Sequence, residues 1–210
     1  MTTLPGRYQP LDTPRPGLPL RVRDLETAQT LLLREVAVPP EHESAVAARA
    51  LAAKGIFHPS LVTLFDVIGP TDGRLILAYE FVPAQPAAVV TGGSPLNVRR
   101  AAEIVAEVAD AVAELHARDV AHGAIALGSL LLTLKGKAKL DRLGDPTVLR
   151  HVNPTPAHDL AALGDLLREL IGPRAARTAV GAQGVETLID RARAGKFESA
   201  ATFAALLRRF

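Results

Sequence analysis

The order of hydrophobic patterns along this 210-residue chain constrains its fold most strongly. Up to about residue 82, apolar residues form short runs typical of strands, with one helical pattern over residues 41–54. Residues 83–93 are rich in Pro, Ala and Gly, and the patterns after them are mostly helical. A strand-rich part followed by a helical part predicts an α+β fold with segregated layers.

The individual elements follow from local patterns of apolar, turn and capping residues. Strands are predicted over residues 18–23, 30–38, 61–68 and 74–82, and the turn residues of 69–73 join the last two as a hairpin. Ser94 as N-cap and Pro95 at the first helical position begin a long helix whose apolar face reaches His116. Farther along the chain, the patterns predict short strands over 130–134 and 138–140, a loop over 146–157, and helices over 159–171, 183–194 and 199–210.

Composition and charge exclude several classes of function. The chain has no cysteine, which excludes disulfides and thiolate metal sites. Its 24 basic and 22 acidic residues are dispersed, and no concentrated basic stripe indicates nucleic-acid binding. No apolar run reaches the roughly 18 residues of a membrane span, and residues 1–20 lack the apolar core of a signal peptide. We therefore expect a cytoplasmic protein without a membrane span.

Five segments in the right order resemble the eukaryotic-type Ser/Thr protein kinases, which also occur in bacteria. The segments are residues 17–24, 31–36, 58–64, 114–132 and 158–164. In this order they match the end of the glycine loop with its second strand, the V-A-I-K strand, the H-P-N-I-V segment, the long helix with the catalytic loop, and the D-x-x-x-L-G helix. The resemblance implies one kinase-like domain, with a small β-rich N-lobe over residues 7–83 and a reduced helical C-lobe over 84–210. The bias toward Ala, Arg and Pro suggests a bacterial source.

The residues that hold ATP in such kinases are altered in this chain. The resemblance places the three loop glycines at Asp12, Pro14 and Gly17, so that one glycine remains. It places the strand lysine at Arg34, and the glutamate partner of that lysine at Arg49 or a neighbouring alanine. The arginine keeps the positive charge, but its forked guanidinium is not the compact ammonium of a lysine.

The residues that carry out phosphoryl transfer are altered as well. The resemblance places the catalytic base at Ala124, the metal-binding asparagine at Ser129, and the D-F-G motif at Arg142-Leu143-Gly144. An alanine accepts no proton and an arginine repels a metal ion. A one-residue shift would instead place Asp141 at the metal position. By the same resemblance, His122 and Asp159 are structural residues, and Asp159 braces the backbone of the catalytic loop.

These substitutions predict a pseudokinase that is not an enzyme. We expect it to bind another protein as a scaffold or regulatory module, and to use neither ATP nor Mg²⁺ as a cofactor. Two alternatives stay open from the sequence. One is a nucleotide-binding pseudokinase or residually active Ser/Thr kinase that uses Arg34 and Asp141. The other is an unrelated small α+β binding protein.

Overall fold

The computed structural model describes residues 6–178 and 182–210, without the side chains of 173–178 and 182. The chain forms two compact units. The first, which we call the sheet unit, extends to Phe57 and also contains Val62–Val82 and Leu143–Val148. The second, the helical unit, consists of His58–Leu61, Pro83–Arg142 and Leu149–Phe210. The mixed α+β architecture agrees with the sequence, whereas the kinase lobes over residues 7–83 and 84–210 stay a prediction.

One antiparallel five-stranded sheet forms most of the sheet unit. Its strands are β1 (Tyr8–Pro10), β2 (Leu20–Asp24), β3 (Thr30–Ala37), β4 (Leu64–Thr71) and β5 (Arg74–Glu80), in the order β1-β2-β3-β5-β4. Side chains alternate between the two faces of a strand, so residues two apart share a face. One buried cluster consists of Tyr8, Val22, Leu31, Leu33, Ile76 and Ala78. Residues from the apolar runs of the predicted strands therefore supply most of this buried cluster.

A helix, α1 (Glu43–Ala53), packs beside β4 in the same unit and confirms the helical pattern of residues 41–54. The strand predicted from residue 61 begins only at Leu64, because Leu61 closes a turn by donating its N–H to the His58 carbonyl. The strand also runs through the predicted linker as far as Thr71. The reversal is confined to Asp72 and Gly73, which both have positive φ angles.

Helices α2 to α6 and a second, smaller sheet form the helical unit. The helices are α2 (Ala87–Thr91), α3 (Val98–His116), α4 (Pro156–Thr178), α5 (Ala182–Arg193) and α6 (Ala200–Leu207), and the strands are β6 (Ala84–Pro86), β7 (Leu130–Thr133) and β8 (Ala138–Leu140). Helix α3 packs against α4 and α6, and its inward residues are almost completely buried. The inward face of α4 predicted from its leucines is confirmed, since Leu160, Leu163, Leu167 and Leu170 are buried.

The start of α3 corrects the sequence prediction. The helix begins at Val98, and the N-cap is Asn97, whose Oδ1 accepts the Arg100 N–H at 2.8 Å. The predicted start at Ser94 and Pro95 is wrong, because the Leu96 N–H donates to the Leu170 carbonyl of α4 instead.

Two segments that were predicted as irregular contain regular structure. Residues 83–93 contain β6 and α2, and β6 forms because it pairs with β7, which lies far along the chain. Residues 146–157 contain a 3-10 turn over Pro146–Val148 and the beginning of α4. Across the described residues, none of the helices combines the length and the apolar character that a bilayer crossing requires.

Candidate functional site

Asp159 holds together the segment of the helical unit that resembles a catalytic loop. This aspartate lies in the first turn of α4 and is 1% exposed. Its Oδ2 accepts the N–H of His122 at 2.7 Å, and its Oδ1 accepts the N–H of Gly123 at 2.8 Å. Oδ2 also lies 2.9 Å from Nε2 of His116, at the end of α3. One buried carboxylate therefore satisfies two backbone donors and a ring nitrogen, and it joins both helices to the loop.

His122 uses both of its ring nitrogens inside this unit. Nδ1 accepts the N–H of Ala124 at 3.2 Å, and Nε2 lies 3.1 Å from the carbonyl oxygen of Asp141. The neutral tautomer with its hydrogen on Nε2 satisfies both contacts. Burial lowers the pKa of His122, with the nearby Asp159 charge opposing that effect. The side chain therefore stabilises the loop as an uncharged hydrogen-bonding group.

The predicted base and asparagine positions carry no carboxylate or amide. Ala124 is 3% exposed and presents only a methyl group. The hydroxyl of Ser129 accepts the Ala126 N–H at 3.0 Å and donates to the Ala124 carbonyl at 2.6 Å. The serine side chain thus closes the turn of its own loop.

Asp141 and Arg142 directly follow β8, next to the loop that contains Ser129. Asp141 donates its N–H to the Ser129 carbonyl at 2.8 Å. Its Oδ1 accepts the N–H of Arg142 at 2.7 Å. Arg142 has a φ angle of 68°, in the left-handed region that side-chain-bearing residues rarely adopt. The Asp141 carboxylate supports this backbone conformation through its hydrogen bond.

In the sheet unit, Arg34 lies next to a carboxylate that sequence reasoning did not assign to it. Nε of Arg34, on β3, is 3.7 Å from Oδ2 of Asp145. The Asp145 side chain is completely buried, and that of Arg34 is 17% exposed. Asp145 lies three positions after Arg142 in the sequence, yet its carboxylate stands beside Arg34 of β3. The two residues are more than a hundred positions apart, and no local pattern links them.

The other predicted positions of the sheet unit differ in their surroundings. Gly144 has a φ angle of +79°, and a Cβ placed on it would lie 3.3 Å from Cα of Ala50 in α1. Arg49, also in α1, is half-buried, and burial lowers its pKa. Gly17 lies in an exposed turn with a φ angle of +73° and open space around it. The structure therefore brings Gly144 into the packed interior and leaves Gly17 outside it.

The predicted site residues fall into two groups. The helical unit contains His122, Ala124, Ser129, Arg142 and Asp159, and the sheet unit contains Gly17, Arg34, Arg49 and Gly144. The kinase roles assigned to these positions stay predictions. In the part of the chain that the structure describes, no group of three or more His, Asp and Glu side chains is arranged to bind a metal ion.

Comparison with known proteins gives two distant relatives. A scan against models of protein families finds no match. The chain is 25% identical over 157 residues to the serine/threonine-protein kinase PrkC of Bacillus subtilis, and this match covers 74% of this chain and 24% of that kinase. It is 30% identical over 145 residues to the serine/threonine-protein kinase GRIK2 of Arabidopsis thaliana, and that match covers 66% of this chain and 32% of the kinase. The chain thus spans a quarter to a third of these relatives.

These relatives correct the prediction that the chain is not an enzyme. That prediction is wrong, because both relatives are named as Ser/Thr protein kinases. The matches are distant and cover a part of each relative, so they do not by themselves establish catalytic activity in this chain. What they support is a kinase-like relationship between this chain and the Ser/Thr protein kinases.

Proposed function

We propose that this kinase-like chain binds another protein and acts as a scaffold or regulatory module. The observation that carries the proposal is the loop fixed by Asp159. Its backbone is tightly held, but Ala124 and Ser129 supply a methyl group and a hydroxyl that bonds its own loop. A rigid loop with few reactive side chains suits the presentation of a constant surface to a partner.

We also propose that partner binding requires neither ATP nor Mg²⁺. Mg²⁺ prefers oxygen ligands, mostly carboxylates and phosphates, in near-octahedral geometry. Arg142 brings a positive charge to the position where the resemblance implies a metal-binding aspartate. The Ser129 hydroxyl already has partners within its loop. The side chains present therefore do not fit a magnesium site of the kind that the resemblance implies.

Partner retention in the presence and absence of nucleotide tests this proposal. The tagged full chain is used to capture partners in ATP with Mg²⁺, and in EDTA without nucleotide. We expect the same proteins in the same amounts, and no change when Arg142 is replaced by Ala. A partner that is retained only with ATP and Mg²⁺ would refute the proposal. Asp159→Ala is the control in which partner capture should be lost, because it removes the carboxylate that holds the loop.

A second candidate function is nucleotide binding with residual Ser/Thr kinase activity. Two observations favour it: the relatives are named as kinases, and Asp141 places a carboxylate directly before Arg142. Transfer of radiolabel from ATP to the chain or to a generic protein substrate is the measurement. This function predicts label transfer that disappears in Asp141→Asn and persists in Glu26→Gln, a charge-matched control at an exposed carboxylate. Equal transfer by both variants would exclude a role for Asp141.

A further inference from the structure

The segment Leu143–Val148 is anchored to the sheet unit at three successive residues. The hydroxyl of Tyr79, at the end of β5, donates to the Leu143 carbonyl at 2.8 Å, and both partners are buried. Gly144 approaches α1 so closely that a side chain would contact it. Asp145 follows and lies against Arg34 of β3. The contacts of Leu143 and Gly144 therefore fix the backbone that carries the Asp145 carboxylate.

The surroundings of the Asp145 carboxylate make Arg34 its charge partner. Oδ1 accepts the N–H of Thr147 at 2.9 Å and its hydroxyl at 2.6 Å. Oδ2 is buried and has no hydrogen-bond donor among the described residues, and the Arg34 guanidinium stands 3.7 Å away. An ionised carboxylate in the interior is costly unless a positive charge compensates it. The guanidinium supplies that compensation.

We propose that Asp145 is an internal anion that occupies Arg34 and keeps external phosphate groups from binding this arginine. Arginine binds phosphate through the same charge-assisted hydrogen bonds that it offers to a carboxylate. An external phosphate that draws the guanidinium away leaves the Asp145 carboxylate buried without its counter-charge. This penalty opposes binding in the wild-type chain. The inference does not depend on the partner-binding role proposed above.

Removing the negative charge from Asp145 reverses this balance. In Asp145→Asn the side chain keeps its size, and its carbonyl oxygen still accepts both bonds from Thr147. The net charge around Arg34 becomes more positive by one unit, in a location where most of the side chain is hidden from water. An incoming anion compensates that excess charge, and no buried Asp145 carboxylate is then left without its counter-charge. The ligand class expected is a diphosphate or triphosphate, either free or as part of a nucleotide.

Pyrophosphate binding to the full chain tests the proposal by isothermal titration calorimetry at low salt without Mg²⁺. We expect Asp145→Asn to bind pyrophosphate at least about tenfold more tightly than wild type, equivalent to about 1.4 kcal/mol. Glu26→Gln is the matched control, because it removes an exposed carboxylate paired with Arg7 in the same unit. This control should bind as weakly as wild type. The double variant Asp145→Asn, Arg34→Gln should lose the gain.

Three results would overturn the proposal. The first is a folded Asp145→Asn that binds no more tightly than Glu26→Gln. The second is a gain that survives the loss of Arg34. The third comes from wild type alone: a shift of the Arg34 Nε–H resonance in nitrogen-15 NMR at submillimolar pyrophosphate would show that Asp145 excludes nothing. If Asp145→Asn does not fold, the NMR measurement on wild type and pyrophosphate binding by Asp145→Ser take its place.

Discussion

Asp145 and Asp159 are both completely enclosed carboxylates, and the chain compensates them in different ways. Asp159 receives two backbone N–H groups and a histidine nitrogen. Asp145 receives one backbone N–H, one hydroxyl and the charge of Arg34. Hydrogen bonds to an ionised group are stronger than those between neutral groups. The strength of the hydrogen bonds that each aspartate accepts therefore depends on its negative charge.

Replacing Asp159 by Asn should destabilise the helical unit. An amide offers one acceptor oxygen where the carboxylate has two, and its NH₂ group faces a donor. At least one buried N–H, that of His122 or Gly123, then loses its partner, which costs about 1–3 kcal/mol. Urea unfolding followed by circular dichroism measures the loss. Asp165→Asn serves as the control, because its ion pair with Arg193 is exposed and contributes about 0–1 kcal/mol. Equal stability of the two variants would contradict the assigned role.

The buried Asp24 of β2 predicts a loss of stability in acid. Two hydrogen bonds from the Arg7 guanidinium, at 2.8 and 2.7 Å, hold the pKa of this carboxyl well below its ordinary range. A lowered folded-state pKa contributes stability that is fully present above the unfolded pKa of about 4. That contribution disappears as the pH falls through the folded pKa. The urea midpoint should therefore decline below about pH 4, and Asp24→Asn should decline less. Parallel curves for the two proteins would count against this explanation.

At the scale of elements, packing beyond the local sequence decides where a helix or strand begins. The apolar face of α3 was readable from its spacing, but its first residue was not, because Leu96 bonds to α4. Strand β6 carries a Pro-containing sequence without a strand pattern and exists through pairing with β7. In the candidate site, the kinase-like sequence pattern drew attention to the loop residues, and the kinase roles assigned to them stay predictions. The approach of Asp145 to Arg34 was not predictable, since the tertiary fold alone joins them.

The contact between the segment Leu143–Val148 and α1 requires a glycine at position 144. A methyl group there would lie 3.3 Å from both Cα of Ala50 and Cδ2 of Leu64, on a backbone with positive φ. Gly144→Ala should therefore cost about 1–2 kcal/mol of backbone strain and about 1–3 kcal/mol of overpacking. Gly55→Ala is the matched control, with a φ of +76° and open space. It should cost the strain alone. Chemical denaturation of both variants gives the difference, and identical values would refute the packing argument.

At the scale of the whole molecule, the sheet unit is discontinuous in sequence. Its sheet is complete by Glu80, but Leu143–Val148 belong to the same compact unit. These later residues supply the acceptor for the Tyr79 hydroxyl and the buried side chains of Leu143 and Asp145. A fragment that ends before residue 83 therefore lacks part of the interior of the sheet unit.

A fragment that ends at Val82 should consequently fail to form a stable sheet unit. It would lack the Leu143 carbonyl that accepts a hydrogen bond from the Tyr79 hydroxyl, and it would expose the surface that Leu143 covers. We expect broad, weakly cooperative thermal unfolding and binding of a hydrophobic dye, in contrast to the full chain. A synthetic peptide of residues 141–150 should partly restore cooperative unfolding, and the same peptide with Gly144 replaced by Val should not. A fragment that unfolds as sharply as the full chain would disprove this prediction.

The late arrival of Leu143–Val148 also bears on how the protein is made. A ribosome releases the five strands of the first sheet well before it adds the residues that complete their unit. During that interval the interior of the sheet unit is incomplete, because Leu143 and Asp145 have not yet been added. The sheet unit can therefore be completed only after Val148 has been added and has left the ribosome.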